Sequence, residues 1–123
     1  MQFWFMALLL FSGFTDVLDG FLGNDTIFGR AGDDWVRGGM GRDLLNGNHG
    51  NDLLEGAGGA DTLLGGSGND TASYAGAGAG VVASLSSPGV NTGDAAGDLY
   101  DGIESLAGSA WNDELGGNQF ANT

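Results

Sequence analysis

The sequence contains no cysteine and no lysine, and only one histidine and one proline. Without cysteine, the chain can form no disulfide, no thiolate metal site and no thiol nucleophile. Its basic side chains are three arginines against sixteen acidic residues, so the formal net charge is −13. Binding to nucleic acid or to an anionic membrane surface needs clustered lysine or arginine, and we therefore expect neither as a partner.

The chain also lacks an apolar stretch long enough to span a membrane. Its longest one, residues 3–11, has nine residues, whereas a transmembrane helix needs about 20. No basic residue precedes it, as one would in a secretory signal. We expect residues 1–15 to be an apolar cap over the open end of the fold or a remnant that packs on a missing neighbour, with a cleaved signal as the alternative.

Glycine is abundant, at 26 of 123 residues. This composition is compatible with a disordered acidic segment or with an ordered fold that needs glycine at fixed positions, and the spacing of the glycines distinguishes the two. Six successive nonapeptides match G-x-x-G-x-D-x-U-x, where U is aliphatic or alanine. The two glycine positions are Gly20 and Gly23, Gly29 and Gly32, Gly38 and Gly41, Gly47 and Gly50, Gly56 and Gly59, and Gly65 and Gly68. The aspartates are Asp25, Asp34, Asp43, Asp52, Asp61 and Asp70, preceded by Asp16 in a weaker copy. Three residue classes held in phase over this length indicate a repeat architecture.

Two of these nonapeptides, residues 38–46 (GGMGRDLLN) and 65–73 (GGSGNDTAS), resemble the calcium-binding nonapeptide of the repeats-in-toxin (RTX) family. The resemblance implies an all-β fold, a parallel β-roll (a right-handed parallel β-helix) with two nonapeptides in each 18-residue coil. It assigns residues 16–73 to the calcium-binding roll and residues 74–123 to a degenerate continuation that the chain end truncates. Disorder is the alternative for residues 74–123, because they are polar and rich in glycine.

The residue types suit this fold. Glycine allows positive φ and close backbone approach in the turns, and each turn is followed by a short strand with one inward side chain. We predict one sheet from the nonapeptides that begin at residues 20, 38 and 56, and another from those at 29, 47 and 65. The predicted core ladders are Leu18, Ile27, Val36, Leu45, Leu54 and Leu63. In this register Arg37 and Glu55 are neighbours of opposite charge on an outer face.

Stacking also brings together the aspartates that lie 18 residues apart. The five pairs are Asp16/Asp34, Asp25/Asp43, Asp34/Asp52, Asp43/Asp61 and Asp52/Asp70. Their charges repel in the bare chain, and a hard cation between them reverses the sign. Calcium, with six to eight oxygen ligands at about 2.3–2.6 Å, suits such sites better than magnesium. We predict about four or five calcium ions, held by these seven aspartates and by turn carbonyls of the twelve repeat glycines.

The remaining polar residues yield weaker predictions. We expect Asp19 and Asp33, which lie outside the register, to be solvated. A further ion could be bound by some of Asp94, Asp98, Asp101, Glu104 and Asp113. His49 is the only histidine, and no motif in the sequence supplies it with a nucleophile and an orienting partner. We therefore expect His49 to be an exposed turn residue. We expect no enzyme activity in this chain.

Four nonapeptides depart from the family motif at its second position, where Phe21, Arg30, Asn48 and Ala57 replace glycine. The sequence leaves open whether this position is tolerant or changes the calcium affinity.

The resemblance implies a function as well. RTX proteins are exported by Gram-negative bacteria through a type I channel and fold outside the cell, where calcium is plentiful. We therefore predict an extracellular calcium-binding structural module. One alternative is the tail of a secreted protease, lipase or alginate epimerase whose catalytic or toxin domain is missing. Another is an adhesin-like solenoid that binds surfaces through Trp35 and Phe28, and the open roll ends allow end-to-end self-association.

Overall fold

The computed structural model describes residues 15–117. The predicted N-terminal cap, apart from residue 15, and residues 118–123 lie outside the described residues. Eleven short strands, β1 to β11 in chain order, form three parallel sheets. The first sheet contains β1 (Val17–Asp19), β3 (Trp35–Arg37), β5 (Leu53–Glu55), β7 (Thr71–Ser73) and β10 (Ser105–Ala107). The second contains β2 (Thr26–Phe28), β4 (Leu44–His49), β6 (Thr62–Ser67) and β9 (Leu99–Asp101), and the third β8 (Val82–Ser84) and β11 (Glu114–Gly116).

The strands of the repeat stack with an offset of 18 residues. Leu18 pairs with Val36 and Val36 with Leu54 in one sheet, while Ile27 pairs with Leu45 in the other. This is the predicted division of alternate nonapeptides between two sheets. The fold is thus an all-β parallel β-roll, in which each coil uses two nonapeptides.

The core is a thin double ladder of inward side chains. The predicted aliphatic residues are all buried, together with Ala72: Leu18, Ile27, Val36, Leu45, Leu54 and Leu63. One side chain per nonapeptide points inward because the three-residue strand alternates, with its middle residue on the inner face. The core of each coil therefore consists of only two apolar side chains.

The predicted contact between Arg37 and Glu55 is confirmed on the outer face of the first sheet. Arg37 Nε lies 3.7 Å from Glu55 Oε2, and Arg37 Nη1 lies 3.4 Å from Asp19 Oδ2. The indole N–H of Trp35 also donates to Glu55 Oε2, at 3.3 Å. Asp19, which we expected to be solvated, is partly exposed, and the sequence did not predict its ion pair, which forms because parallel stacking places Arg37 one coil above it. Exposed pairs of this kind contribute little each, about 0–1 kcal/mol.

After β7 the 18-residue period is lost, but the coil goes on. Strand β9 stacks on β6, and the Asp61–Asp98 bond beside it spans 37 residues instead of 18. Strand β10 stacks on β7, and β11 pairs with β8 in a short sheet of its own. Between β8 and β9 the chain forms two 3₁₀ turns, Pro88–Val90 and Gly93–Ala95. The segment between β7 and β9 thus leaves the two sheets of the repeat, and the chain returns to them with β9 and β10.

Two predicted core residues of this half take part in the packing. Ile103 is buried, and Leu106 is partly buried against the core. Within residues 15–117, no helix has the length and apolar character needed to cross a membrane.

The inward ladder predicts a clear difference between neighbouring leucines. Leu54→Ala removes a fully buried side chain and should lower the free energy of unfolding by about 2–4 kcal/mol. Leu53→Ala, on the outer face of the same strand, should lose less than half as much. Urea unfolding in millimolar calcium, followed by circular dichroism, would measure both, and equal losses would contradict the proposed core.

Candidate metal centre

The repeat aspartates form two hydrogen-bonded ladders, one on each side of the roll. In every predicted pair, the backbone N–H of the earlier aspartate donates to Oδ1 of the aspartate 18 residues later, at 2.8–2.9 Å. The predicted stacking of all five pairs is therefore confirmed. In each of the five accepting aspartates the ladder holds one carboxylate oxygen and thereby orients the other.

That second oxygen has no partner. Among the described residues, the Oδ2 atoms that are buried and accept no hydrogen bond belong to Asp16, Asp25, Asp34, Asp43, Asp52, Asp61 and Asp70. They are the seven aspartates that the repeat predicts. A buried charged oxygen without a partner is expensive, about 1–3 kcal/mol or more. Because the same buried oxygen recurs in successive repeats, it is a feature of the repeat rather than a single packing defect, and a ligand of positive charge would suit it.

The first glycine of each nonapeptide forms the wall of this site. A Cβ on Gly29 would lie 2.7 Å from Asp34 Oδ2 and 3.0 Å from the carbonyl oxygen of Gly47. A Cβ on Gly20 would meet Asp25 Oδ2 at 2.5 Å and the Gly38 carbonyl oxygen at 2.7 Å. A carboxylate oxygen and a carbonyl oxygen from the next coil thus approach the same point. Any side chain here would fill the space between them.

The donors at this site suit a hard cation. No three His, Cys, Asp or Glu side chains converge on one point in the part of the chain that the structure describes. A cation would therefore take one or two carboxylates and complete its shell with backbone carbonyls, as calcium does. The residues present fit calcium, because they offer only oxygen atoms and leave seven of them without a partner.

Burial makes these carboxylates hard to ionise without a cation. Burial, together with the charges of Asp70 and Asp34, raises the pKa of Asp52 to about 7, against the effect of the Asp34 N–H. Burial and the neighbouring carboxylates raise the pKa of Asp61 to about 7 as well. Burial also raises the pKa values of Asp25, Asp34, Asp43 and Asp70. In the metal-free roll these carboxyl groups are therefore protonated more readily than those of a free aspartate.

The acidic residues of the C-terminal half have a different environment. Asp98 Oδ2 accepts a hydrogen bond from the Tyr74 hydroxyl at 2.7 Å, and Asp113 Oδ2 accepts one from the Ser109 N–H at 2.7 Å. The Ser109 hydroxyl and the Val81 N–H lower the pKa of Asp113. Sequence reasoning named these carboxylates but missed their donors, because no periodicity connects the partners.

Glu104 replaces an aspartate in the ladder. Its Oε2 accepts the N–H of Asp70 at 2.8 Å, as Oδ1 of an aspartate does one coil earlier. The other two acidic residues that the sequence grouped with it differ in setting, since Asp101 is exposed and Asp94 is half-buried. The spacing from Asp70 to Glu104 is 34 residues instead of 18. The repeat period therefore did not predict that Glu104 belongs to the ladder.

The second position of each turn has positive φ whichever residue occupies it. The φ angles are 68° for Phe21, 78° for Arg30, 74° for Asn48 and 68° for Ala57, and two glycines complete the set. The turn is therefore retained in the four nonapeptides that depart from the family motif. A non-glycine residue in this region costs about 1–3 kcal/mol.

A second ladder runs beside the aspartates, at the residue before each of them. Asn24 Oδ1 accepts the N–H of Arg42 at 2.8 Å, and Asn51 Oδ1 accepts that of Asn69 at 2.9 Å. Asp33 accepts the N–H of Asn51 at 2.7 Å. Asp33 is exposed, as predicted, and the prediction missed that it also accepts this hydrogen bond. The signal was present in the sequence as Asn or Asp at this position in four of six nonapeptides.

His49 is exposed, as predicted, and its Nδ1 lies 2.8 Å from Ser67 Oγ. With Phe28 and Arg30 it lines a shallow surface cavity of about 410 Å³. Within residues 15–117, no third side chain holds the imidazole ring.

Comparison with known families agrees with the geometry of the turns. A family model of the RTX calcium-binding nonapeptide repeat, comprising four copies, matches residues 12–45 and again residues 37–72. No curated protein and no solved structure matches the chain. The matched residues include all seven aspartates whose Oδ2 lacks a partner.

The glycine wall predicts how a single methyl group acts. Gly29→Ala would place a Cβ against Asp34 Oδ2 and the Gly47 carbonyl oxygen, and it should weaken calcium binding about tenfold or more. Gly58→Ala is the matched control, because no atom lies within 4 Å of its Cβ position. Calorimetric titration with calcium would separate them, and equal affinities would exclude the wall as part of the site.

The raised pKa values predict that the metal-free chain gains structure on acidification. Asp52 and Asp61 have folded pKa values of about 7, above the unfolded value of about 3.9. The folded state therefore retains protons that the unfolded state releases, and this stability is complete below about pH 4 and lost as the pH rises through about 7. In chelator, β-type circular dichroism should grow from about pH 8 to about pH 5. A loss of signal on acidification would show that the carboxylates remain ionised.

Proposed function

The chain belongs to the RTX calcium-binding nonapeptide repeat family through residues 12–72, and from this premise we propose that it folds on binding calcium outside the cell. The family makes it a calcium-binding structural module. The coupling of folding to the metal, the identity of the ligands and the compartment are the parts that we propose. The observation that carries the proposal is the row of seven buried Oδ2 atoms without a partner.

The proposed ligands are the seven repeat aspartates and carbonyl oxygens of the turn glycines. Bound calcium would supply positive charge and coordination to oxygen, and it would do no other chemistry in this site. Each aspartate contributes Oδ2, because Oδ1 is already held by the ladder in Asp34, Asp43, Asp52, Asp61 and Asp70. Five stacked pairs support about four or five ions. Magnesium fits less well, since it requires a smaller octahedron and retains its water.

Coupled folding follows from the balance of forces in each turn. The metal-free roll must bury carboxylates that repel one another and lack partners, while each coil offers only two inward apolar side chains. Stabilisation by a ligand that binds only the folded state grows with its concentration. Such a chain would be unfolded where calcium is scarce and compact where it is plentiful. This behaviour suits export in an unfolded state, and we place the folded form in the extracellular medium.

The other functions that the sequence suggested stay predictions. The activity of an attached protease, lipase, epimerase or toxin domain would lie outside these residues. For an adhesin, the outward Trp35 is 39% exposed. However, its indole N–H is bonded to Glu55, and the Arg37 guanidinium lies 5.4 Å from its ring centre. Nothing in this arrangement favours adhesion over the calcium module.

The proposal predicts a specific response to calcium. Millimolar calcium added to the chelated chain at neutral pH should produce a large gain of β-type circular dichroism, and magnesium should produce little. Asp52→Asn is a nearly isosteric variant that removes one carboxylate from two stacked pairs. It should shift the calcium midpoint about tenfold higher, by loss of a charged ligand.

A matched control is Asp101→Asn, which removes a charge from an exposed aspartate outside the ladder. It should leave the midpoint close to that of the wild type. A chain that is already fully folded in chelator would refute coupled folding, and an equal response to both cations would refute the calcium assignment.

A further inference from the structure

Asp98 has the place of a repeat aspartate but not its surroundings. It is fully buried, and its Oδ1 accepts the N–H of Asp61 at 2.8 Å, as Oδ1 does throughout the ladder. Its Oδ2, however, accepts the Tyr74 hydroxyl at 2.7 Å. We propose that this hydroxyl replaces a cation, so that Asp98 binds no metal and the metal ladder of the second sheet ends at Asp61. This inference rests on the proposed function, because it concerns the extent of the same ladder.

The hydroxyl is held in place by a chain of hydrogen bonds. The Tyr100 hydroxyl lies 2.5 Å from that of Tyr74, and Asn91 Nδ2 donates to Tyr100 at 2.9 Å. Asn91 is fixed in turn, because its Oδ1 accepts the Ser84 N–H at 2.8 Å. Since Tyr74 gives its proton to Asp98, Tyr100 must donate to Tyr74. The four side chains thus form a one-directional chain of donors that ends on a carboxylate.

Both phenols remain protonated, as donors must. Burial and the nearby Asp98 charge raise the pKa of Tyr74, and burial raises the pKa of Tyr100 to about 12. The side chain of Tyr74 is only 2% exposed, so water does not compete for Asp98. A hydrogen bond to a carboxylate in such a site is stronger than one between neutral groups.

A second observation also argues against a metal at Asp98. In the repeats, the glycine five residues before the aspartate lies against Oδ2, as Gly56 does for Asp61. The corresponding Gly93 lies elsewhere, and a Cβ on it would be 3.2 Å from the Gly80 carbonyl oxygen and 3.3 Å from Val81 Cγ1. The wall that would bring a carbonyl and the carboxylate to one point is therefore missing beside Asp98.

The consequence is a coil that needs no metal. A hydroxyl satisfies the orphan oxygen without adding charge, so the coil of β9 should gain nothing from calcium. The seven repeat aspartates lack such a donor. Calcium should therefore bind along the repeat as far as Asp61 and not at Asp98, where the Tyr74 hydroxyl occupies Oδ2.

Asp61→Asn and Asp98→Asn form a matched pair for the test. The two aspartates are hydrogen-bonded neighbours in one ladder, both almost fully buried. Native mass spectrometry at the lowest calcium concentration that fills the wild type should count as many ions on the Asp98→Asn variant as on the wild type. It should count at least one fewer on Asp61→Asn, whose calcium affinity should fall about tenfold, as for Asp52→Asn. An ion lost from Asp98→Asn would overturn the inference alone, whereas no ion lost from Asp61→Asn would overturn the inference together with the assignment of Asp61 as a ligand. A wild-type chain without bound calcium would instead overturn the proposed function and this inference with it.

Tyr74→Phe tests the hydroxyl itself. At saturating calcium it should lower the melting temperature by about 5–10 °C, because a buried carboxylate loses its donor. Adding Asp98→Asn to that variant should recover part of the loss, since a neutral acceptor needs the donor less. A purely structural role for the ring predicts no such rescue. An unchanged melting temperature in Tyr74→Phe, or a double variant without recovery, would overturn the proposal.

Discussion

Each nonapeptide of the roll buries one aliphatic side chain and one carboxylate, and the balance between them governs the molecule. Full burial of a leucine contributes about 1.5–3 kcal/mol. A buried charged oxygen without a partner costs about as much or more. Because the two terms are similar, neither the thin core nor the hydrogen-bonded ladders secure the fold alone. Under the proposed function, a positive charge between the turns would decide the sign of the sum, and the stability of the roll would then depend on the calcium concentration.

The glycine positions follow from the same balance. A carboxylate can share a cation with carbonyl oxygens only if the backbone closes to within a few ångströms of it, and even one methyl group at Gly29 would occupy that space. The second position is less strict, since Phe21 and Ala57 keep the turn with positive φ. Their cost falls on backbone conformation and not on the site. The family motif is thus most demanding where a side chain would enter the cation site.

Much of the fold and of the candidate site could be predicted because, in the repeat, residues that are 18 positions apart in the sequence are in contact. An offset of 18 residues places Asp34 on Asp16 and Glu55 beside Arg37, so the periodic part needs no further information. The C-terminal half gives no such rule. The contact from Asp61 to Asp98 spans 37 residues and that from Asp70 to Glu104 spans 34. Neither number repeats, and only the three-dimensional path of the intervening loop shows that both carboxylates rejoin the ladder.

The two halves therefore solve one electrostatic problem by different means. Every ladder position needs a carboxylate oxygen to cap the N–H of the coil before it, and this leaves a second oxygen to be satisfied. In the described repeats no donor reaches that oxygen, and the proposed function assigns a cation to it. At Asp98 and Asp113 the chain supplies a tyrosine hydroxyl or a serine instead. The tyrosine comes from outside the turn of Asp98, whereas Ser109 belongs to the turn of Asp113 and donates to its Oδ2 through the backbone N–H. Loss of the period after β7 thus brings a hydroxyl to Asp98 that no nonapeptide of the repeat places beside its own aspartate.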